Sequence, residues 1–169
     1  MRIRKSKNQT ERIDHLRDQW ATPWDVIKKI SRALDVVYDL DVCAKADTAK
    51  APEYFTFEQD ALTREWFGNV WCNPPYSDIA PWITHGINEK ENGRLESLTY
   101  LVPARTDRKW LAEAIEFGLR VIVLQPRISF LEPPGIGKKR PNSSPKDGSI
   151  LLFWSRERRK VPPIIDLRG

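Results

Sequence analysis

The sequence predicts an α/β domain built on a mostly parallel sheet flanked by helices. Three observations carry that reading. Short apolar runs alternate along the chain with segments of helical periodicity, the order expected of strand–helix–strand units. At 169 residues the chain is most simply one domain with one good core. Three runs also finish in chemically distinctive residues: Asp41-Val42-Cys43-Ala44, Asn73-Pro74-Pro75-Tyr76 and Pro103-Ala104-Arg105. Parallel neighbours would bring those ends to one edge, and ligands of open sheets sit beyond the carboxyl ends of the strands.

The elements follow in order. Residues 1–18 form a polar, basic arm, and a folded domain is expected over 19–155. In Gln19-Trp20-Ala21-Thr22-Pro23-Trp24-Asp25, Thr22 is placed to cap a helix, with Pro23 at its first position and Asp25 three residues after the cap. Val26, Ile27, Ile30, Ala33 and Leu34 continue at helical spacing, so a helix is predicted over 23–35. Val36–Val42 alternates as a strand. Residues 45–68 are irregular, with a short strand at Tyr54–Phe57 ahead of Asp60. A buried strand at 69–72 runs into Asn-Pro-Pro-Tyr. Ser77–Glu89 reads as a helix with Ile79, Trp82, Ile83 and Ile87 on one side. Strands are predicted at Ser97–Val102, Leu119–Gln125, Ile128–Leu131 and Ser149–Trp154, with a helix at Asp107–Phe117. The closing strands have room for an antiparallel partner. The stretch 132–148, EPPGIGKKRPNSSPKDG, is a loop by its Pro, Gly, Ser and charge content, and 156–169 is a basic tail.

Composition narrows the function. No apolar run approaches a membrane span and no apolar signal core follows the basic start, so a cytoplasmic location is expected. Cys43 and Cys72 lie in apolar strand contexts and read as reduced core thiols. The two cysteines and two histidines show no metal-ligand spacing, so no metal is expected. The net charge of +5 points toward a polyanionic partner. It concentrates in Lys138, Lys139, Arg140 and Lys146 of the loop and in Arg156, Arg158, Arg159 and Lys160 of the tail.

Asn73-Pro74-Pro75-Tyr76 carries the chemistry. Two prolines in succession cannot extend a ladder or a helix interior, so the chain leaves the sheet abruptly on a stiff backbone. The Asn73 side-chain carbonyl and the Pro74 carbonyl are both acceptors, and Pro75 has no N–H to compete for the latter. Two carbonyls converging on one point suit an amino group with two hydrogens, and Tyr76 offers a flat face. Accepting both N–H bonds draws the nitrogen lone pair out of conjugation, with no metal and no strong base. Such a site suits a nucleobase turned out of its helix.

These residues resemble motif IV of the amino-methyltransferases that use S-adenosylmethionine. The wider chain is similar to the small phage-type DNA N6-adenine methyltransferases, the Dam-like family. The resemblance spans about residues 19–155 and rests on Trp20-Ala21-Thr22-Pro23, Leu40-Asp41-Val42-Cys43-Ala44, Tyr54-Phe55-Thr56 with Asp60-Ala61-Leu62, Trp66, Cys72-Asn73-Pro74-Pro75-Tyr76-Ser77 and the Gly148-Ser149 strand. It implies a Rossmann-like S-adenosylmethionine-dependent methyltransferase fold acting on double-stranded DNA, in DNA modification of the restriction-modification kind. Asn73, Pro74, Pro75 and Tyr76 would bind and orient the target adenine. Thr22 and Pro23 would lie near the methionine end of the cofactor, Asp41 with Cys43 and Ala44 would line its pocket, and Asp60 would meet its adenine amino group. Lys138, Lys139, Arg140 and Lys146 are the candidate DNA contacts. One departure stands out: Ala44 is followed by Lys45-Ala46-Asp47 where the family pattern has a glycine-rich turn. S-adenosylmethionine has no phosphate to cradle, so that loss matters less than it would in a dinucleotide enzyme. Two other readings stay open from the residues, an RNA or protein-glutamine methyltransferase with the same clamp, and a nucleic-acid-binding relative without catalysis.

Overall fold

The computed structural model describes residues 18, 20–131 and 147–168. Its elements are α1 (Trp24–Leu34), β1 (Leu40–Asp41), β2 (Glu53–Tyr54), β3 (Gly68–Cys72), α2 (Ala80–Glu91), β4 (Leu95–Pro103), α3 (Lys109–Glu116), β5 (Arg120–Gln125), β6 (Ser149–Ser155) and β7 (Ile164–Asp166). Short 3-10 turns occupy Phe57–Gln59 and Ala61–Thr63.

The strands form one sheet in the order β2-β1-β3-β4-β6-β5-β7. Every neighbouring pair is parallel except those made by β6, which runs antiparallel to both β4 and β5. This is a mostly parallel, helix-flanked α/β architecture, with the antiparallel partner late in the chain.

Side-chain alternation sorts the core into two layers. Val70, Cys72, Leu98, Tyr100, Val102, Ile150 and Leu152 meet α2 and α3 through Ile83, Ile87, Trp110 and Leu111. Trp71, Leu101, Leu151, Phe153, Ile122 and Leu124 meet α1 through Val26, Ile27, Ile30 and Leu34. Strands covered on both faces read as unbroken apolar runs, which is why β3, β4 and β6 are legible.

Several boundaries differ from the sequence expectation. Only Leu40 and Asp41 of the Val36–Val42 stretch are laddered. The partner β3 begins at Gly68 and aligns Val70 with Leu40, so Tyr38 comes level with its first residue and residues 36 and 37 run out past its end. Val36 and Tyr38 still bury while Val37 is exposed, which gives the alternation without a ladder. The strand expected at Tyr54–Phe57 is β2 at Glu53–Tyr54, after which a capping box between Thr56 and Gln59 turns the chain into a 3-10 helix. Helix α2 starts at Ala80 because a turn from the Pro75 carbonyl to the Asp78 amide comes first. In Ile128–Leu131 only Leu131 pairs, in an isolated bridge with Ala21. Within the stretch read as a basic tail, Ile164–Asp166 forms β7 beside β5. Among the described residues no helix is long and apolar enough to cross a membrane.

Candidate functional site

Strands β1, β3 and β4 are adjacent and parallel, so their carboxyl ends reach one rim of the sheet, as the sequence required. The start of α1 comes to the same place. Asn73 Nδ2 donates to Thr22 Oγ1 at 3.3 Å, across 51 positions of sequence. Thr22 is buried. Its expected role as a helix cap is not realised: the cap position is Pro23, and no side chain caps the first turn. Pro23 fixes its own φ and starts the helix unaided, which leaves the Thr22 hydroxyl to Asn73.

The Asn-Pro-Pro-Tyr segment is held tightly. Cys72 ends β3 fully buried, and Pro74 is buried behind it. The Pro75 carbonyl accepts from the Asp78 amide, so it closes a turn. Among the described residues no donor bonds the Pro74 carbonyl or Asn73 Oδ1. Tyr76 packs edge-on against Phe130, with ring centroids 6.3 Å apart at 88°. Among the described residues its buried hydroxyl has no hydrogen-bond partner, and burial pushes the phenol pKa well up. Trp20 Nε1 is likewise buried and unpartnered. Downstream, Ser77 donates through its amide and its hydroxyl to Asp18, the hydroxyl at 2.6 Å.

Asp41 is buried, with both carboxylate oxygens on backbone amides. Its Oδ1 accepts the Cys43 amide at 3.1 Å and its Oδ2 the Lys50 amide at 2.9 Å. Both carboxylate oxygens therefore fasten the loop that follows β1. Burial raises its pKa to about 6, with the two amides and the Lys50 ammonium pulling the other way. Lys50 Nζ sits 4.5 Å over the half-exposed Trp24 ring, and burial lowers its pKa. Cys43 is half-buried, with its thiol pushed up by burial, and Ala44 is buried with its amide on the Phe55 carbonyl. Asp60 is exposed on a left-handed residue, φ 47°, between the two 3-10 turns, and the Phe57 ring on the first turn is 87% exposed. The loop lacks the glycine-rich turn; Asp41 gives it shape instead.

The candidate DNA contacts Lys138, Lys139, Arg140 and Lys146 lie outside the described residues. The residues at each end of that stretch do not. Leu131 exchanges two backbone bonds with Ala21, next to Thr22. Asp147 pairs with Arg105, just past β4, at 2.9 Å. Both ends are thus held at the rim that carries Asn73. The tail cluster is elsewhere: Arg156 donates to the Gly93 and Leu95 carbonyls at the start of β4. Sequence reasoning missed the Thr22–Asn73 bond, the Phe130–Tyr76 contact and the Asp18–Ser77 pair. Each joins residues tens of positions apart, and no local pattern encodes it.

The chain is similar to phage proteins. It is 28% identical over 152 residues to the DNA N-6-adenine-methyltransferase of Haemophilus phage HP1, covering 88% of this chain and 84% of that one. It is 30% identical over 118 residues to the DNA N-6-adenine-methyltransferase of Escherichia phage T1, covering 69% of this chain and 48% of that one. A solved structure, described as a "putative RNA methyltransferase" from Pyrococcus horikoshii, matches 71% of this chain and 63% of its own at 11% identity and a TM-score of 0.44, too distant to bear on detail. The family model for DNA N-6-adenine-methyltransferase (Dam) matches residues 9–165, and with nearly the whole chain inside that match, this protein belongs to the Dam family.

Proposed function

We propose that this DNA adenine methyltransferase transfers a methyl group from S-adenosylmethionine to the exocyclic N6 amino group of an adenine turned out of double-stranded DNA. The observation that carries the reading is the state of the Asn73 amide. Its nitrogen is bonded to Thr22, so its oxygen is left as the acceptor, next to a Pro74 carbonyl that no described residue bonds. Two acceptors on a stiff backbone suit an –NH2 group and repel a ring acceptor. Asn73 and Pro74 take the two N–H bonds and aim the lone pair. Pro75 sets the backbone, and Tyr76, braced by Phe130, offers the flat side of the pocket.

The residues around the rim fit S-adenosylmethionine by their chemistry. The exposed Phe57 ring and Asp60 carboxylate offer a face and an acceptor to a purine with an amino group. Cys43 and Ala44 sit in the loop shaped by Asp41, and Thr22 with Pro23 borders it at the start of α1. The cofactor supplies a methyl group made electrophilic by a positively charged sulfur. Lys138, Lys139, Arg140 and Lys146 are assigned to DNA phosphates, because the loop that bears them is rooted on both sides of Asn73.

Incubation with methyl-labelled S-adenosylmethionine and duplex DNA, single-stranded DNA, RNA or protein tests this. The expected product is N6-methyladenine in duplex DNA. Label on RNA or glutamine would replace the substrate, and no label on any of them would mean a binding protein without catalysis.

A further inference from the structure

We infer that Thr22 is a positioning residue for methyl transfer: its buried hydroxyl, bonded to the Asn73 amide N–H, fixes the plane of the carboxamide that faces the target amino group. The inference rests on the reading of Asn73 as the amino-group acceptor.

A primary carboxamide is nearly symmetric in shape and opposite in polarity at its two ends. A half-turn about its last torsion exchanges C=O for NH2. An Asn that presents its oxygen accepts an amine N–H; one that presents its nitrogen sets donor against donor. At a rim open to ligand, nothing in the Asn itself chooses between them. A threonine hydroxyl serves either end, so Thr22 Oγ1, 3.3 Å from Asn73 Nδ2, fixes the plane of the amide, and the incoming amino group, which only an oxygen can accept, selects the end.

Thr22 can do this because it cannot move. It is 1% exposed, so water does not stand in for its oxygen. On one side, Ala21 is bonded twice to Leu131, through its amide and through its carbonyl. On the other, Pro23 locks the backbone and accepts from the Ile27 amide as α1 begins. The hydroxyl is not taken by the helix, whose first turn has no side-chain cap. The Thr-Pro pair is thus a rigid bracket for the catalytic amide, in addition to whatever face it turns to the cofactor.

Thr22→Val keeps the shape and removes the acceptor. We expect the single-turnover methyl-transfer rate, at saturating cofactor and DNA, to fall by about tenfold, the worth of one ordinary hydrogen bond. Cofactor affinity by calorimetry should stay within about twofold, well inside the effect of a missing hydrogen bond. Thr22→Ser, which keeps the oxygen, should recover most of the rate relative to Val. Rates are compared below the lower of the melting transitions, so unfolding does not enter them. In an Asn73→Ala background, Thr22→Val should add nothing further, since a positioning residue has nothing left to position. An unchanged transfer rate, a loss confined to cofactor affinity, or a full additional loss on top of Asn73→Ala would each overturn the inference. If Asn73→Ala itself turns over normally, the clamp reading fails first; if it is inactive while Thr22→Val is normal, only the role of Thr22 fails.

Discussion

At the amino ends of β3 and β4 the polar groups of the sheet are closed off, whereas at the carboxyl ends of the same strands several are left open. On the first rim Arg156 donates to the Gly93 and Leu95 carbonyls. Asp39 accepts both the backbone and the side-chain N–H of Asn69. Buried Glu89 accepts the Trp66 amide and pairs with Arg94. Arg159 reaches the carbonyl that ends α1. On the second rim the Tyr76 hydroxyl and Trp20 Nε1 are buried and find no partner among the described residues, the Pro74 carbonyl bonds no described donor, and α1 begins without a side-chain cap. A buried polar group without a partner costs about 1–3 kcal/mol. Such groups gather on one rim, with none of their kind among the described residues of the other, which supports the proposal that ligands bind there.

The contrast breaks most sharply at Asn73. Asn73→Ala should lower methyl transfer by at least about two orders of magnitude, the scale of losing one preorganised polar group at a reacting centre. Cofactor affinity should persist, because the role proposed for the amide is on the target base and not on the cofactor. Rapid-quench transfer assays with calorimetry read both quantities, and near-wild-type turnover would remove the clamp.

Next in size is the loop rooted at Leu131 and Asp147. Neutralising Lys138, Lys139 and Arg140 together should flatten the salt dependence of DNA binding, by about 0.9 in slope for each phosphate no longer neutralised. The weakening should be greatest at low salt, with cofactor affinity unmoved. An unchanged slope in a salt titration would make that loop a solvated surface.

Asp41 sits at the open rim but behaves as the closed rim does, since both its oxygens are bonded. Asp41→Ala strands two amides, one of them on buried Lys50, at about 1–3 kcal/mol apiece. The melting temperature should fall by roughly 5–10 °C for a domain of this size. Cofactor binding should weaken because the loop bearing Cys43 and Ala44 loses its shape. With the carboxyl pKa raised to about 6, the folded protein holds this proton more tightly than the unfolded chain does. Its contribution to stability is therefore full below the ordinary carboxylate value of 3.8 and is lost as pH rises through about 6. Asp41→Asn should flatten that part of a stability–pH curve. A slope identical to wild type would mean that another group titrates there.

The legible and illegible parts of the molecule divide on a physical line. β3, β4, β6 and α1 can be read because two-faced burial or helical periodicity is written in consecutive residues. The convergence of Asp41, Asn73 and Pro103 can be read because parallel order forces it. Val36–Tyr38 suggests a ladder that is not there, because alternating burial occurs without pairing. The strand at Ile164–Asp166 escapes sequence reasoning because three residues behind Pro162-Pro163 carry too short a pattern. Asp41 reads as a pocket carboxylate, but nothing local says that its partners are the amides two and nine residues on. Thr22 suits a cap by every local rule, and only tertiary contact gives its hydroxyl to Asn73.

The smallest expected effect is at the closed rim, where the sequence places a second basic cluster that competes with the loop for the role of DNA surface. Arg156 is about half exposed and pairs with Glu96 at 3.2 Å, an ion pair worth little in water. Its two bonds to backbone carbonyls are the larger contribution. Arg156→Ala should therefore cost about 1–1.5 kcal/mol, a melting shift of roughly 3–5 °C. Because this rim lies at the far end of β4 from Asn73, the transfer rate and the salt slope of DNA binding should not change. Salt slopes for Arg156→Ala and for the neutralised loop, measured side by side, decide between the surfaces. A flatter slope for Arg156→Ala alone would move the DNA to the tail and leave the open rim without its duplex.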